Sequence, residues 1–297
     1  MTDRRRGLLL GIVGVAVIIP DATLIRLVDA PSVTTAMWRA GLAAGALAVF
    51  LLGRYGKQLP TALGALGRWG AVSSLIVGSG TILFVVAVDT TAVANVVLIL
   101  ALSPMWAALM TRLTTGVRPP RRTLVAMPFA FAGVIVAVAG SVESGLNTGD
   151  LLALIASVGL ATNLTIVRAQ HHVDMVPAAA VGSFFGFAAL LVVGTSFQIT
   201  SGDLAPLLLL GLVVIPGAIG LLTAAARYLS SPETALLLLG ETALSPLLAA
   251  VVIDEPITGA AFAGGAIVIA TLTIHAWAGL RTPAATSRTP SSPSIPL

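Results

Sequence analysis

Apolar residues occupy this chain in long, nearly uninterrupted runs that are separated by short polar segments. A helix that crosses the hydrocarbon core of a bilayer needs roughly 20 apolar residues at about 1.5 Å of rise each. Ten of the runs have about this length, and each predicts one membrane-spanning helix. The predicted spans are residues 7–27, 33–52, 69–88, 92–111, 123–140, 150–169, 177–197, 205–225, 233–252 and 260–279.

The composition agrees with a membrane protein and excludes several other classes. Hydrophobic residues make up 57% of the chain and charged residues only 9%, whereas soluble domains are about 45–50% apolar even with glycine counted. The predicted loops are too short to hold a soluble domain, so we expect the function to lie within the membrane. A formal charge of +4 without interleaved basic and aromatic residues does not indicate nucleic-acid binding. The absence of cysteine excludes disulfides, thiolate metal sites and thiol catalysis.

The basic residues are distributed unequally between the two sides of the predicted bundle. If the first span starts in the cytoplasm, 14 of the 16 Lys and Arg residues fall on the cytoplasmic side. The other two, Arg26 and Arg39, fall on the outer side. Cytoplasmic loops carry this excess of positive charge. We therefore predict a multi-pass protein of the inner membrane with both termini in the cytoplasm.

The two halves of the chain share short motifs when the sequence is aligned with itself at a shift of 142 residues. This shift places Leu102-Ser103-Pro104 on Leu244-Ser245-Pro246 and Gly78-x-x-Thr81 on Gly220-x-x-Thr223. The matches indicate two five-helix repeats, and because five is odd, the second repeat must enter the membrane from the opposite side. Equivalent loops bear opposite charge, as inverted topology requires: 112–122 is basic and 254–258 is acidic. Inverted repeats are typical of secondary transporters, which bind substrate near the membrane midplane.

The fold class predicted is thus an all-α integral membrane protein with ten transmembrane helices in two inverted repeats. The predicted organisation is a cytoplasmic N-terminus (1–6), a first repeat (7–140), an outer linker (141–148), a second repeat (149–279) and a cytoplasmic tail (280–297). The tail is rich in Ser, Thr and Pro without periodicity, which predicts disorder.

Several short motifs, taken in order, resemble a known family. They are Trp38-Arg39, Ser103-Pro104, Ala226-Arg227-Tyr228, Glu241-x-x-x-Ser245-Pro246 and Asp254-Glu255-Pro256. Together they resemble the drug/metabolite transporter superfamily, EamA type, over about residues 7–279. A Gly-Glu turn that usually follows helix 4 in this family is replaced here by residues 114–122.

The resemblance implies a central cavity between helices 1–4 and 6–9, with helices 5 and 10 at the periphery. It also implies export of amino acids, aromatic ones included, or of related small metabolites from the bacterial cytoplasm. Amino-acid exporters of the YddG type are the nearest match suggested.

Ionisable groups inside the membrane are candidates for substrate binding because they are costly to bury there. Glu241 lies near the middle of helix 9 and could bind an ammonium group, accept a coupling proton or serve as a structural carboxyl. Asp21 could meet an ammonium group or pair with Arg26 or Arg39. Arg39 could hold a substrate carboxylate, neutralise a nearby Asp or extend to the interface.

The other candidate substrate-binding residues are uncharged. Asn163 is the repeat counterpart of Asp21, and Ile99 is the counterpart of Glu241. Thr81 and Asn95 offer sparse polar contacts to a cavity wall or join helices, and Trp106 could stack on a substrate or anchor at the interface. Ser245 completes the candidate set.

Prolines within the predicted spans mark candidate hinges. Pro20 removes a backbone donor and predicts a bend or break in helix 1. Ser103-Pro104 and Ser245-Pro246 predict kinks at equivalent positions of the two repeats, either as hinges or as static bends.

No metal-ligand spacing, phosphate-binding loop or catalytic constellation is found in the sequence, so we expect no metal, no cofactor and no enzyme. His171, His172 and His275 are expected to be solvated, and three Gly-x-x-x-Gly pairs (7/11, 41/45 and 182/186) to make close helix contacts. The sequence thus predicts a secondary transporter working by alternating access, a monomer by default, with a homodimer through helix 5 or 10 as the other possibility. The alternatives are an exporter of lipophilic cations or drugs, a lipid-modifying membrane enzyme and a structural subunit.

Overall fold

A computed structural model describes residues 3–91, 93–116, 118–137, 147–254 and 259–281, which are helical with short connections and contain no strand. The α-helices are α1 (Asp3–Ile18), α2 (Pro20–Arg26), α3 (Ser32–Tyr55), α4 (Leu59–Ala65), α5 (Gly67–Thr90), α6 (Val93–Leu100), α7 (Ser103–Thr115), α8 (Arg121–Ala137), α9 (Thr148–Ala169), α10 (Val176–Val192), α11 (Ser201–Leu209), α12 (Ile215–Ala226), α13 (Ser231–Val252) and α14 (Gly259–Arg281). A 3₁₀ turn (Gly56–Gln58) precedes α4, and a π-helical segment (Leu210–Val214) joins α11 to α12.

Long apolar helices indicate a multi-pass membrane protein. Within the described residues, seven segments are long and apolar enough to cross a membrane: Asp3–Arg26, Ser32–Ala65, Gly67–Ala87, Val96–Thr114, Thr148–Ala169, Ser201–Ala226 and Ser231–Val252. Two shorter apolar helices cover Val176–Val192 and Phe262–Ala278. Each of the ten predicted spans overlaps an α-helix, while a topology of ten crossings in two inverted repeats stays a prediction. Most of the predicted outer linker, the acidic turn at Glu255-Pro256 and the tail after residue 281 lie outside the described residues.

Polar contacts gather at the two opposite ends of the helical bundle. At one end, which we call the basic end, Arg4 of α1 and Arg122 of α8 lie 2.8 Å and 3.1 Å from Oε1 of Glu233, at the start of α13. At the other, the acidic end, the backbone N–H of Asp29 donates to Asp203 at the start of α11 (2.8 Å). The starts of α1, α8 and α13 therefore lie at one end of the bundle, and the start of α11 lies at the other.

Small residues let the helices approach closely, as the Gly-x-x-x-Gly pairs predict. A Cβ on Gly78 of α5 would lie 2.7 Å from the carbonyl oxygen of Gly182 in α10, so only glycine fits this contact. Gly7, Gly11 and Gly41 are similarly enclosed by side chains of other elements. The prediction is wrong for Gly45, where a Cβ would meet open space.

Three of the long apolar segments are interrupted within the bundle. The first is interrupted at Ile19, directly before Pro20, where the sequence predicts it, because proline cannot donate the helical hydrogen bond. Ile19 itself keeps helical φ and ψ angles (−48° and −41°), so the interruption is local. The fourth breaks at residues 101–102, directly before Ser103-Pro104. The π-helical segment (Leu210–Val214) has no counterpart in the sequence predictions.

The equivalent position in the second repeat behaves differently. α13 continues without a break from Ser231 to Val252, through Ser245-Pro246, so the two Ser-Pro sites are not alike as the repeat predicts. A proline within a membrane helix is tolerated when neighbouring groups satisfy the freed backbone atoms. The Pro246 side chain lies outside the described residues.

Candidate functional site

An ion pair joins the first two long apolar segments near the acidic end. Nε and Nη2 of Arg39 donate to Oδ1 and Oδ2 of Asp21 at 3.1 Å and 2.9 Å. Asp21 lies in the first turn of α2, directly after the break at Pro20, and is 8% exposed. The sequence left open whether Asp21 meets an ammonium group or pairs with Arg26 or Arg39, and the structure shows the pair with Arg39. The two-bond geometry is the strong form of a carboxylate–guanidinium contact.

Glu241 completes what we call the charged cluster: Asp21, Arg39 and Glu241. It lies at the middle of α13, partly buried, and interacts electrostatically with both members of the ion pair. Among the described residues, none forms a hydrogen bond or ion pair with the Glu241 carboxylate. The cluster therefore holds one carboxylate that is paired with the guanidinium group of Arg39 and one carboxyl group, that of Glu241, with no hydrogen-bond partner among the described residues.

Ser245 links α13 to the break in the first segment. Its hydroxyl donates to the backbone oxygen of Ile19 at 3.0 Å, and the residue is 7% exposed. Because Ser245 follows Glu241 by four residues, the two side chains share one face of α13. The structure thus brings together five of the predicted site and hinge residues: Pro20, Asp21, Arg39, Glu241 and Ser245.

The remaining predicted site residues lie elsewhere in the bundle. Asn163 accepts a hydrogen bond from the Ser73 hydroxyl (2.6 Å), and the Thr81 hydroxyl donates to its own helix at Val77 (3.3 Å). Ile99 packs with Ala87, Val96 and Ala153. The Asn95 side chain lies outside the described residues.

Trp106 has a mixed environment. Its ring packs against an apolar cluster formed by α7, α9 and α13, which contains Ala161, Leu164 and Ala235. Its indole N–H is buried and has no hydrogen-bond partner among the described residues. A buried indole donor usually finds a partner, so this N–H is available to a ligand or a water molecule. Ser103, which starts α7, is buried at 2% exposure.

A second polar network, which sequence reasoning missed, surrounds Glu233 at the basic end. The carboxylate accepts hydrogen bonds from Arg4 (2.8 Å), from Arg122 (3.1 Å) and from both the backbone and hydroxyl of Ser230. We call Arg4, Arg122, Ser230 and Glu233 the Glu233 network. The Ser-x-x-Glu spacing at 230–233 is a capping box and was a usable signal in the sequence.

The expected exposure of His275 is wrong. Its side chain is buried at 3% residue exposure, with Nε2 3.9 Å from Oε1 of Glu233. The sequence places His275 near a helix end, which suggested solvent. However, α14 packs against α8 and α13, and this brings the residue against the Glu233 network.

Comparison with known proteins supports a transporter fold. A solved crystal structure of a protein superposes with a TM-score of 0.79 at 16% sequence identity, covering 94% of this chain and 100% of that one. At this identity the likeness shows the fold alone. No curated protein matches the chain. Residues 147–276, which contain Glu241 and Ser245 but not Asp21 or Arg39, match the EamA-like transporter family. This match over α9–α14 supports the drug/metabolite transporter superfamily and indicates a membrane transporter of small molecules.

Proposed function

We propose that this chain is a secondary transporter that exports amino acids, or related small metabolites with an ammonium group, across the bacterial inner membrane. The observation that carries the proposal is the charged cluster, three ionisable side chains held within an otherwise apolar bundle. A charged residue at the centre of a membrane helix costs about 2.5–3.5 kcal/mol on translocon scales. Asp21 and Arg39 offset each other, whereas Glu241 has no such partner among the described residues.

The unpaired carboxylate of Glu241 suits an ammonium group. The guanidinium of Arg39 uses Nε and Nη2 to hold Asp21, which leaves the N–H groups of Nη1 free to donate to a substrate carboxylate. A zwitterion would therefore find both charges matched at one site. Its zero net charge also limits the cost of leaving water.

Transport by alternating access requires the two ends of the bundle to open in turn. The breaks at Ile19 and at residues 101–102 interrupt two segments within the bundle, and the first lies beside the charged cluster. The first is directly followed by the predicted hinge residue Pro20 and the second by the predicted hinge pair Ser103-Pro104. We propose that the segments pivot at these breaks, driven by an ion or substrate gradient.

The test is uptake of labelled threonine, methionine and phenylalanine into proteoliposomes, with and without an imposed pH gradient. Saturable uptake that heat-denatured protein does not show supports the proposal, and its response to the gradient separates proton coupling from facilitated diffusion. No uptake above empty liposomes, by protein that is folded, would remove amino acids as substrates.

A second candidate, export of lipophilic cations, is favoured by the charge of the same cluster. The Asp21–Arg39 pair is neutral, so the Glu241 carboxyl group, in its ionised form, would supply the negative charge that a substrate with only a cationic group requires. Competition separates the two functions. Tetraphenylphosphonium should leave amino-acid uptake unchanged if the site requires both charges, and should block it if the carboxylate alone binds substrate.

A further inference from the structure

α1 and α13 run side by side from the basic end toward the charged cluster. A Cβ on Gly11 would lie 2.7 Å from Cδ1 of Leu237, and a Cβ on Gly240 would lie 3.3 Å from Cγ1 of Val15. The next point of contact is the hydrogen bond from Ser245 to the Ile19 oxygen (3.0 Å). The three contacts lie in this order along both helices, from the basic end toward the charged cluster, and the first two are apolar. The third is polar and falls where α1 ends.

Unlike the two apolar contacts, the contact from Ser245 is a hydrogen bond to the backbone at the break. Ile19 is the residue between α1 and α2, and Pro20-Asp21 follows directly. Glu241 lies one turn before Ser245 on the same helix face. One hydroxyl therefore joins the helix that carries Glu241 to the backbone that carries Asp21.

We infer that Ser245 is a positioning residue for the proposed substrate site, and that its bond to Ile19 sets the separation between Glu241 and the Asp21–Arg39 pair. This inference rests on the proposed function, and it assigns Ser245 to the backbone of the first segment instead of to the substrate. Without the bond, only the packing of α2 against α13 holds the two together at the break, and α2 can shift relative to α13. A substrate that bridges Glu241 and Arg39 then meets a site of variable width, and its affinity falls.

The first measurement is the distance between α2 and α13, which needs no knowledge of the substrate. Since the chain has no cysteine, spin labels can be placed at Leu27→Cys and Val252→Cys alone, two exposed positions at the ends of α2 and α13. We expect a narrow distance distribution in this background, a broader one after Ser245→Ala, and recovery with Ser245→Thr, which keeps a hydroxyl.

Ser74→Ala is the matched control. Ser74 is 6% exposed and also donates to a backbone oxygen of another helix, that of Ala178 at 2.8 Å, but between α5 and α10. It should leave the labelled distance unchanged. An unchanged distribution in Ser245→Ala, or equal broadening in Ser74→Ala, would overturn the inferred link.

The second measurement is transport by the same variants without labels. Ser245→Ala should raise the half-saturation concentration at least fivefold with a smaller change in maximal rate, whereas Ser74→Ala should lower only the yield or the rate. A broadened distance with an unchanged half-saturation concentration would make the bond merely structural and overturn the positioning role. Wild-type protein that transports no amino acid contradicts the proposed function instead, and the positioning role for that site with it, while the distance measurement still decides the link.

Discussion

At the scale of single residues, the Asp21–Arg39 pair should contribute to stability chiefly through mutual compensation. Both side chains are mostly buried, with 12% and 20% of their side-chain area exposed. Removing one member of a buried pair leaves the other uncompensated, which typically costs about 3–5 kcal/mol. We therefore expect Asp21→Asn to lower the unfolding temperature in detergent more than the double change Asp21→Asn, Arg39→Gln does. A loss in the double variant equal to the sum of the losses in Asp21→Asn and Arg39→Gln would show that the two groups do not depend on each other.

Glu241 should matter for transport and little for folding. Glu241→Gln keeps the size of the side chain, and the carboxylate has no hydrogen bond to the described residues that the amide would break. Uptake should fall at least tenfold while the unfolding temperature stays within about 2 °C, since a small stability change of a few tenths of a kcal/mol shifts it little. Normal uptake by Glu241→Gln across pH 5 to 8 would show that this carboxylate is not needed.

At the scale of helices, the crossing of α5 and α10 depends on glycine. A Cβ on Gly182 would lie 2.7 Å from Cβ of Val77 and 2.8 Å from the Ser74 oxygen, so Gly182→Ala must push the two helices apart. Overpacking of this kind costs about 1–3 kcal/mol, and the midpoint of thermal unfolding should fall accordingly. Gly45→Ala is the control, because a Cβ there meets open space. That change should be neutral or stabilising, since alanine favours helix over glycine by about 1 kcal/mol.

The helices themselves were largely predictable from the sequence, and their irregularities only in part. Long apolar runs fix where helices lie, and Pro20 marks a break because it lacks an N–H. The π-helical segment at Leu210–Val214 contains Gly211, where a Cβ would lie 2.4 Å from Cβ of Leu42, and the apolar run that predicts this helix does not indicate it. Repeat symmetry predicted matching kinks at both Ser-Pro sites, but the partners of Ser245 come from another part of the chain.

The charged cluster was only partly predictable for a similar reason. Sequence position placed Asp21, Arg39 and Glu241 within spans, and membrane physics marked them as candidates. Which of them pair depends on the rotation of each helix, which an apolar run does not specify. The repeat also suggested Asn163 as the equivalent of Asp21, whereas Asn163 accepts a hydrogen bond from Ser73 instead.

At the scale of the whole molecule, the Glu233 network joins α1, α8 and α13 at the basic end. Glu233→Ala removes the carboxylate half of a capping box and leaves the positive charges of Arg4 and Arg122 without this carboxylate. We expect the unfolding temperature to fall further than in Asp150→Ala, which removes a capping-box carboxylate at the other end. A smaller loss in Glu233→Ala would show that the arginines gain nothing from this carboxylate.

The Glu233 network also has a consequence for how the protein is made. Arg4 and its partner Glu233 are 229 residues apart, so the first helix enters the membrane long before the ribosome has produced the carboxylate that it will bind. Gly7 and Gly11 pack against Leu229 and Leu237, which are also synthesised late. The first helix therefore has to persist through most of synthesis without its final neighbours, and its docking against α13 can occur only near the end of synthesis. A nascent chain that stops before α13 lacks the contacts of the first helix with Glu233 and Leu237, and this difference would let quality-control proteases distinguish unfinished molecules from finished ones.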